Sequence, residues 1–353
     1  MTSRELVYKT MRGESPPRTP VYGWVRFELE KPITEAFGSV ENFEDHYRFD
    51  LAHIFGGPYA FGKCLESLRK SGEAITPEML LDIRFDPIHQ EDYESLIQSL
   101  NHHRQRDRFC YVQTPGIFEA LNDVFGIENH LLYMALYPEE LSQVYQKMAD
   151  WNIENGKHLL DLHVDGIHIS DDWGAQKDLL FSPTLWRELI YPQMKRVVDY
   201  VHSRGCFCSL HSDGCVKKVA DGIAELGLDV VHPWQESAGM GYDLYLERYA
   251  DKFAILILKA EAAVVSGDEM EGHPGIIHPF LQICSDCNCI LHDPNRVFEN
   301  IFIDPLEDIF LAGVHHNFES CIDMAVTQFA ARNGIAINLK GVCQLLCLQN
   351  SHL

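Results

Sequence analysis

Short apolar runs alternate with longer amphipathic stretches along the chain, and each periodicity predicts its own element. Seven runs read as strands: Pro20–Val25, Asp50–Phe55, Phe109–Thr114, Asp165–Ser170, Cys206–His211, Leu228–His232 and Phe253–Leu258. Helix signals follow most of them. Pro138-Glu139-Glu140 opens a run carrying Val144, Tyr145, Met148 and Trp151, with acid in the first turn where the helix dipole favours it. Ser182-Pro183-Thr184 supplies an N-cap and a first-turn proline, and that helix runs to about Ser203 before Gly205 ends it.

Strands alternating with helices predict a parallel sheet with helical crossovers. Seven strands plus one more near the C-terminus would close a (β/α)8-barrel of the TIM type, an α/β fold. A doubly wound open sheet is the alternative. It usually carries a G-x-G-x-x-G turn after its first strand, and the sequence has none. The segment between about Tyr59 and Arg108 reads as an excursion expected to cap the barrel mouth.

Composition narrows the functional classes. With 353 residues, 46% hydrophobic, the chain can bury a large core. Its 52 acidic against 29 basic residues give a net charge of -23, spread along the sequence. Such a surface repels phosphate backbones and anionic lipid, so nucleic acid and membranes are poor partners and a small-molecule substrate is expected. Met1 to Pro20 has no apolar targeting core, and no segment reaches about 18 apolar residues. Eleven cysteines without a signal peptide read as reduced thiols, so the expected location is cytoplasmic.

In a barrel of this type, function sits at the C-terminal ends of strands. Three such ends carry chemistry. Asp171 and Asp172 follow one strand and form a pair that suits acid/base work, a cation or a metal; the plain alternative has Asp172 capping a turn and Asp171 facing water. His211 ends the next strand, with Asp213 two residues on. That pair fits zinc ligation through N and O, or an oriented acid/base couple, or a merely hydrogen-bonded histidine. After the third, His232-Pro-Trp-Gln235 offers Trp234 as an apolar wall and Gln235 as a hydrogen-bonding group, or simple loop packing.

Thr114-Pro-Gly-Ile-Phe-Glu119, Tyr137-Pro-Glu-Glu140, Asp171-Asp-Trp-Gly-Ala-Gln176, His211-Ser-Asp-Gly214 and Val230-Val-His-Pro-Trp-Gln235 resemble, in this order, the uroporphyrinogen decarboxylase / cobalamin-dependent methyltransferase superfamily. The resemblance covers roughly residues 1–254 and implies a (β/α)8-barrel. In decarboxylases of this superfamily an aspartate follows the second strand and arginines grip the substrate carboxylates. Here Gly56 and Gly57 stand at the first position, and Arg26 is the cation left near the first strand. One arginine poorly matches four acetate groups. The methyltransferase branch moves methyl groups between a corrinoid and an acceptor, and its zinc-dependent members use a His-x-Cys pair and a distant cysteine. The resemblance therefore implies Zn2+ on His211, Asp213 and Cys289, with Asp213 replacing a thiolate and giving a harder site. It implies methylcobalamin as co-substrate, a corrinoid protein as partner, Asp171, Asp172 and His211 as catalytic residues, and Arg26, Trp173, Gln176, Trp234 and Gln235 as substrate-binding. Uroporphyrinogen decarboxylation and a catalytically disabled barrel are the alternatives.

Beyond about Leu258 the resemblance stops, dividing the chain into a barrel over 1–258 and a diverged or aberrant segment over 259–353. Six of the eleven cysteines lie beyond residue 280 and all five tryptophans before 235. This segment is read either as a diverged, irregular barrel closure or as a foreign stretch left by a frameshift, and the abrupt loss of motifs favours the second. Cys284, Cys287, Cys289 and His292 form a dense ligand set within it, or free thiols.

Overall fold

The computed structural model describes residues 1–258 except Trp24, Arg26 and Glu73, together with one strand beyond them. Every expected strand forms: β1 (Val21–Gly23), β2 (Leu51–Ile54), β3 (Phe109–Pro115), β4 (Gly166–Ser170), β5 (Phe207–His211), β6 (Val230–His232) and β7 (Ala254–Leu258). An eighth, β8 (Leu281–Cys284), lies in the C-terminal segment and pairs in parallel with both β1 and β7. The sheet runs β1-β8-β7-β6-β5-β4-β3-β2 with parallel neighbours throughout. It curls, and its two edges meet where Asp50 N donates to Val21 O at 2.8 Å. The fold is α/β, with parallel strands in a curled TIM-type sheet.

One local device recurs at the bottom of the strands. The residue preceding β2, β4 and β6 is an aspartate: Asp50, Asp165 and Asp229. Each donates its own N–H to the neighbouring strand and accepts from the same residue through its carboxylate. Val21, Cys110 and Cys208 are the partners, with their amides 2.7, 2.9 and 2.8 Å from the carboxylates. The lowest N–H on that side of β1, β3 and β5 is thereby satisfied where no further ladder exists to take it.

Alternation sorts the side chains as the period of two requires. Cys110, Val112, Ile167, Ile169, Cys208, Leu210, Val231 and Ile255 face the helices and join the main core. Tyr22, Leu51, Phe109, Tyr111 and Val230 face inward and fill the lower barrel. The Ser3–Met11 helix closes that end: Val7, Tyr8 and Met11 pack against this inner cluster, and Tyr8 Oη donates to Asp165 at 2.8 Å. Among the described residues, the barrel therefore opens at the opposite, C-terminal face.

The two helices read from sequence form with two refinements. Pro138–Asp161 buries Val144, Tyr145, Met148 and Trp151 as its spacing dictates. The second begins at Pro183 under a Ser182 cap, passes through a π-helical stretch at Trp186–Ile190, and continues as Tyr191–Ser203. Pro192 lacks the N–H that would bond four residues back, which is where the regular ladder is interrupted. The excursion expected over the mouth anchors on the Pro138–Asp161 helix. Lys147 Nζ donates to the carbonyls of Leu80, Leu81 and Ile83, Trp151 Nε1 to Asp86 O, and Tyr93 Oη to Asn155. Its apolar residues, Phe61, Leu65, Leu80 and Phe85, make the outer layer their core. No helix among the described residues is long and apolar enough to cross a membrane.

Candidate functional site

Inward positions near the upper ends of β2, β4, β5 and β6 each carry a histidine: His53, His168, His211 and His232. His53 has both nitrogens committed. Its Nε2 lies 2.8 Å from Gln113 Oε1, an acceptor, so Nε2 carries the proton and Nδ1 accepts from the Tyr22 hydroxyl at 2.8 Å. His168 is fixed in the opposite sense. The Ser209 hydroxyl lies 2.7 Å from His168 Nδ1 and 3.4 Å from Ile167 O, and when it donates to that carbonyl Nδ1 carries the ring proton and Nε2 is the lone pair. His211 and His232 are register partners on adjacent strands, with their Nδ1 atoms 2.6 Å apart. Burial, reinforced by the neighbouring histidines, holds His168 and His232 well below the ordinary imidazole range, and burial drives His53 down to about 3. These three rings are neutral near pH 7.

Above this layer His211 turns its other nitrogen toward acid. Its Nε2 lies 3.5 Å from Asp172 Oδ1 and 3.9 Å from Asp213 Oδ2. Asp172 also accepts from Asp213 N at 2.7 Å, so the loops after β4 and β5 are tied together. Gly174 and Gly214 make that approach possible. A Cβ on either would run into the backbone of the other loop, and Gly214 has a φ of +78. Glu119, after β3, accepts from Ser170 Oγ at 2.9 Å; burial raises its carboxyl, and the charge of Asp172 adds to the rise. Two sets of donors lie close enough to share one ion, with ligand atoms within 4.8 Å of one another: Asp172, His211 and Asp213 at the rim, and His168, His211 and His232 below.

The other residues singled out in the sequence occupy different places. Asp171 is fully buried, facing neither water nor the mouth. Its Oδ1 accepts from the amides of Phe118 and Glu119 at 2.8 and 2.7 Å, and its Oδ2 from Trp173 Nε1 at 2.8 Å. Burial pushes its carboxyl up to about 7, opposed chiefly by the Glu119 amide and the Trp173 indole. Trp173 and Trp234 are also fully buried. Trp173 packs edge-on against Trp186, and Trp234 sits among Tyr245, Tyr249 and Phe253, because the helix layer offers each ring more apolar contact than the mouth does. Gln235 Oε1 accepts from Gly214 N at 2.9 Å, and Gln176 Nε2 donates to Ser237 O at 2.8 Å, so both amides join loops at the rim. Arg26, Cys287, Cys289 and His292 lie outside the described residues.

His53, His168 and Glu119 were not singled out as site residues, and His232 was noted only as part of a loop motif. The signal was present. His168 lies one inward step below Ser170, and His232 is level with His211. Reading every strand for polar residues on its inward face would have found them.

Together the strand order and the strand-end residues define a TIM-type α/β protein with its site at the C-terminal face. Residues 110–237 match the family described as Uroporphyrinogen decarboxylase (URO-D), and this match, with the fold, supports the uroporphyrinogen decarboxylase-like superfamily. Among solved structures, a methyltransferase from Methanosarcina mazei is similar over 88% of this chain and 98% of its own, at 11% identity and a TM-score of 0.53. A sugar phosphate isomerase/epimerase from Parabacteroides distasonis ATCC 8503 is similar over 85% and 98%, at 10% identity and a TM-score of 0.38. At 11% identity the first likeness is one of fold, and it supports the TIM type. No curated protein matches the chain.

Proposed function

We propose that the protein is a corrinoid-linked methyltransferase that moves a methyl group between methylcobalamin, carried by a corrinoid protein, and a small acceptor bound at the rim. The observation that carries this reading is the convergence of His211, Asp172 and Asp213 within ion-sharing distance at the C-terminal strand ends. One imidazole and two carboxylates are a donor set that fits Zn2+. Bound there, the ion would lower the pKa of an acceptor's X–H group and so supply a better nucleophile.

The chain's own residues do the rest. Asp171 is a positioning residue: it holds the Phe118 and Glu119 amides and so sets where the Glu119 carboxylate meets Ser170. Gln235 holds the Gly214 amide, and Asp172 the Asp213 amide, which fixes the loop bearing Asp213. Glu119, Asp172 and Asp213 concentrate negative charge at the mouth. That field suits a neutral or cationic acceptor and opposes a substrate with many carboxylates, such as uroporphyrinogen.

The test is a methyl-transfer assay on the full chain with Zn2+, methylcobalamin and a panel of thiol and amine acceptors, followed by the absorbance of the demethylated corrinoid. Transfer that falls by about 100-fold or more in His211→Ala supports the reading. Release of CO2 from uroporphyrinogen, without methyl transfer to any acceptor, overturns it.

A further inference from the structure

We infer a second metal site, inside the barrel, in which His168, His211 and His232 bind a single divalent transition-metal ion such as Zn2+ or Co2+. It goes beyond the methyl-transfer reading and stands or falls separately from it. His211 belongs to both sets through opposite nitrogens: Nε2 faces the rim carboxylates, and Nδ1 faces His232.

Three observations converge. The first is proximity, since one nitrogen from each ring lies within 4.8 Å of the others. The second is unsatisfied chemistry. Nε2 of His168 is buried without a hydrogen-bond partner among the described residues, in a residue 1% exposed. Buried polar atoms normally find partners, and an orphan on a ring packed against two other histidines points to a missing one. The third is preparation. Ser209 Oγ lies 2.7 Å from His168 Nδ1 and so braces the ring from behind, which leaves Nε2 as the nitrogen available to an ion. That is how a metal-binding histidine is ordinarily braced.

The His211–His232 contact fits the same picture. Two imidazoles 2.6 Å apart through Nδ1 must share a proton, since bare lone pairs at that distance repel. Two nitrogens on one tetrahedral zinc lie about 3.3 Å apart, so an ion that replaces this proton needs the rings to part slightly. Neutral imidazoles suit zinc, cobalt, nickel and copper better than magnesium or calcium, which take oxygen ligands. His53 is a neighbour and not a ligand, because Tyr22 and Gln113 occupy both its nitrogens.

The experiment is equilibrium dialysis of the full chain against Zn2+ and Co2+, with Co2+ ligand-field spectra to identify the donors. Losing a bracing group already weakens metal sites by about 10–100-fold. His168→Gln and His232→Gln are therefore expected to weaken binding by at least about 100-fold. The inner ion is expected to remain in the control His53→Gln and, once the rim ion is lost, in Asp172→Asn and Asp213→Asn. Each variant is checked by circular dichroism and a cooperative melt, so that a folding failure is not read as a lost ligand. Unchanged affinity in a folded His168→Gln protein overturns the site. So does loss confined to the two aspartate variants, which assigns the ion to the rim alone, and so does absence of binding to the native chain. Metal bound in this pattern without methyl transfer would leave the site standing and remove the methyl-transfer reading.

Discussion

Asp50 and Val21 exchange hydrogen bonds in both directions: Asp50 N donates to Val21 O at 2.8 Å, and Val21 N donates to the Asp50 carboxylate at 2.7 Å. This exchange ties β2 to β1, where the two edges of the sheet meet. Arg18 adds a two-pronged contact to the same carboxylate at 2.5 and 2.6 Å. Asp50→Ala would leave the Val21 amide buried without a partner and the Arg18 charge unpaired. The expected loss is about 2–4 kcal/mol, measured by urea unfolding. Asp165→Ala, whose carboxylate is equally buried, should cost a similar amount, and Asp229→Ala less, because its side chain is 27% exposed and water can replace it. Equal, negligible losses at all three positions would refute the role assigned to this motif.

Asp171 clamps three donors, so Asp171→Asn is not a gentle change. The new amide can accept on one side only; its NH2 must point at the Trp173 indole N–H or at the Phe118 and Glu119 amides. Stability should fall by about 2–4 kcal/mol. Gly116→Ala should be destabilising for the complementary reason, since a Cβ there would penetrate the Asp171 carboxyl. Thermal melts followed by tryptophan fluorescence read both, and a neutral result for Asp171→Asn would return that residue to the list of groups free to react.

How much of this could be read beforehand depends on the distance over which each residue is determined. Strand positions and their inward and outward faces follow from local alternation, so the barrel and the placement of His211 and Asp213 were legible. Asp171 and Asp172 are adjacent and chemically alike, yet one is buried in a clamp and the other lines the rim. What separates them is the Gly116–Glu119 loop, about 55 residues earlier, which no local pattern reports. Trp173 and Trp234 went the same way: the rings that take them into the core belong to other elements. The histidine layer needs the curl of the sheet to bring four strands to one point.

Two histidines away from the site should make the fold acid-sensitive. His130 lies between Asn122 Oδ1 and the Tyr145 hydroxyl, each 2.8 Å away, a setting satisfied by the neutral ring, and burial lowers it to about 3. Burial, then the Arg108 charge, lowers His103 to about 4. The unfolded chain takes up these protons near 6.5, whereas the folded chain resists until about 4 and 3. Between those limits the unfolded state binds more protons, so stability falls as pH drops below about 6.5. Urea midpoints at pH 7.5 and 5 should show the decline. In His130→Asn the decline should be shallower, even though the variant starts less stable; an equal slope would exclude His130 as a contributor.

Zinc itself supplies the last prediction, because an ion that binds only the folded chain must stabilise it. At a free concentration about 100 times its dissociation constant, the gain is about 2.7 kcal/mol, which raises the melting temperature of a chain this size by about 3–5 °C. Chelation should reverse it. His211→Ala should abolish the shift outright, since His211 is the one ligand shared by the rim and the inner set. If zinc still raises the melting temperature of His211→Ala by the full amount, the ion sits elsewhere, and neither set assembled around His211 holds it.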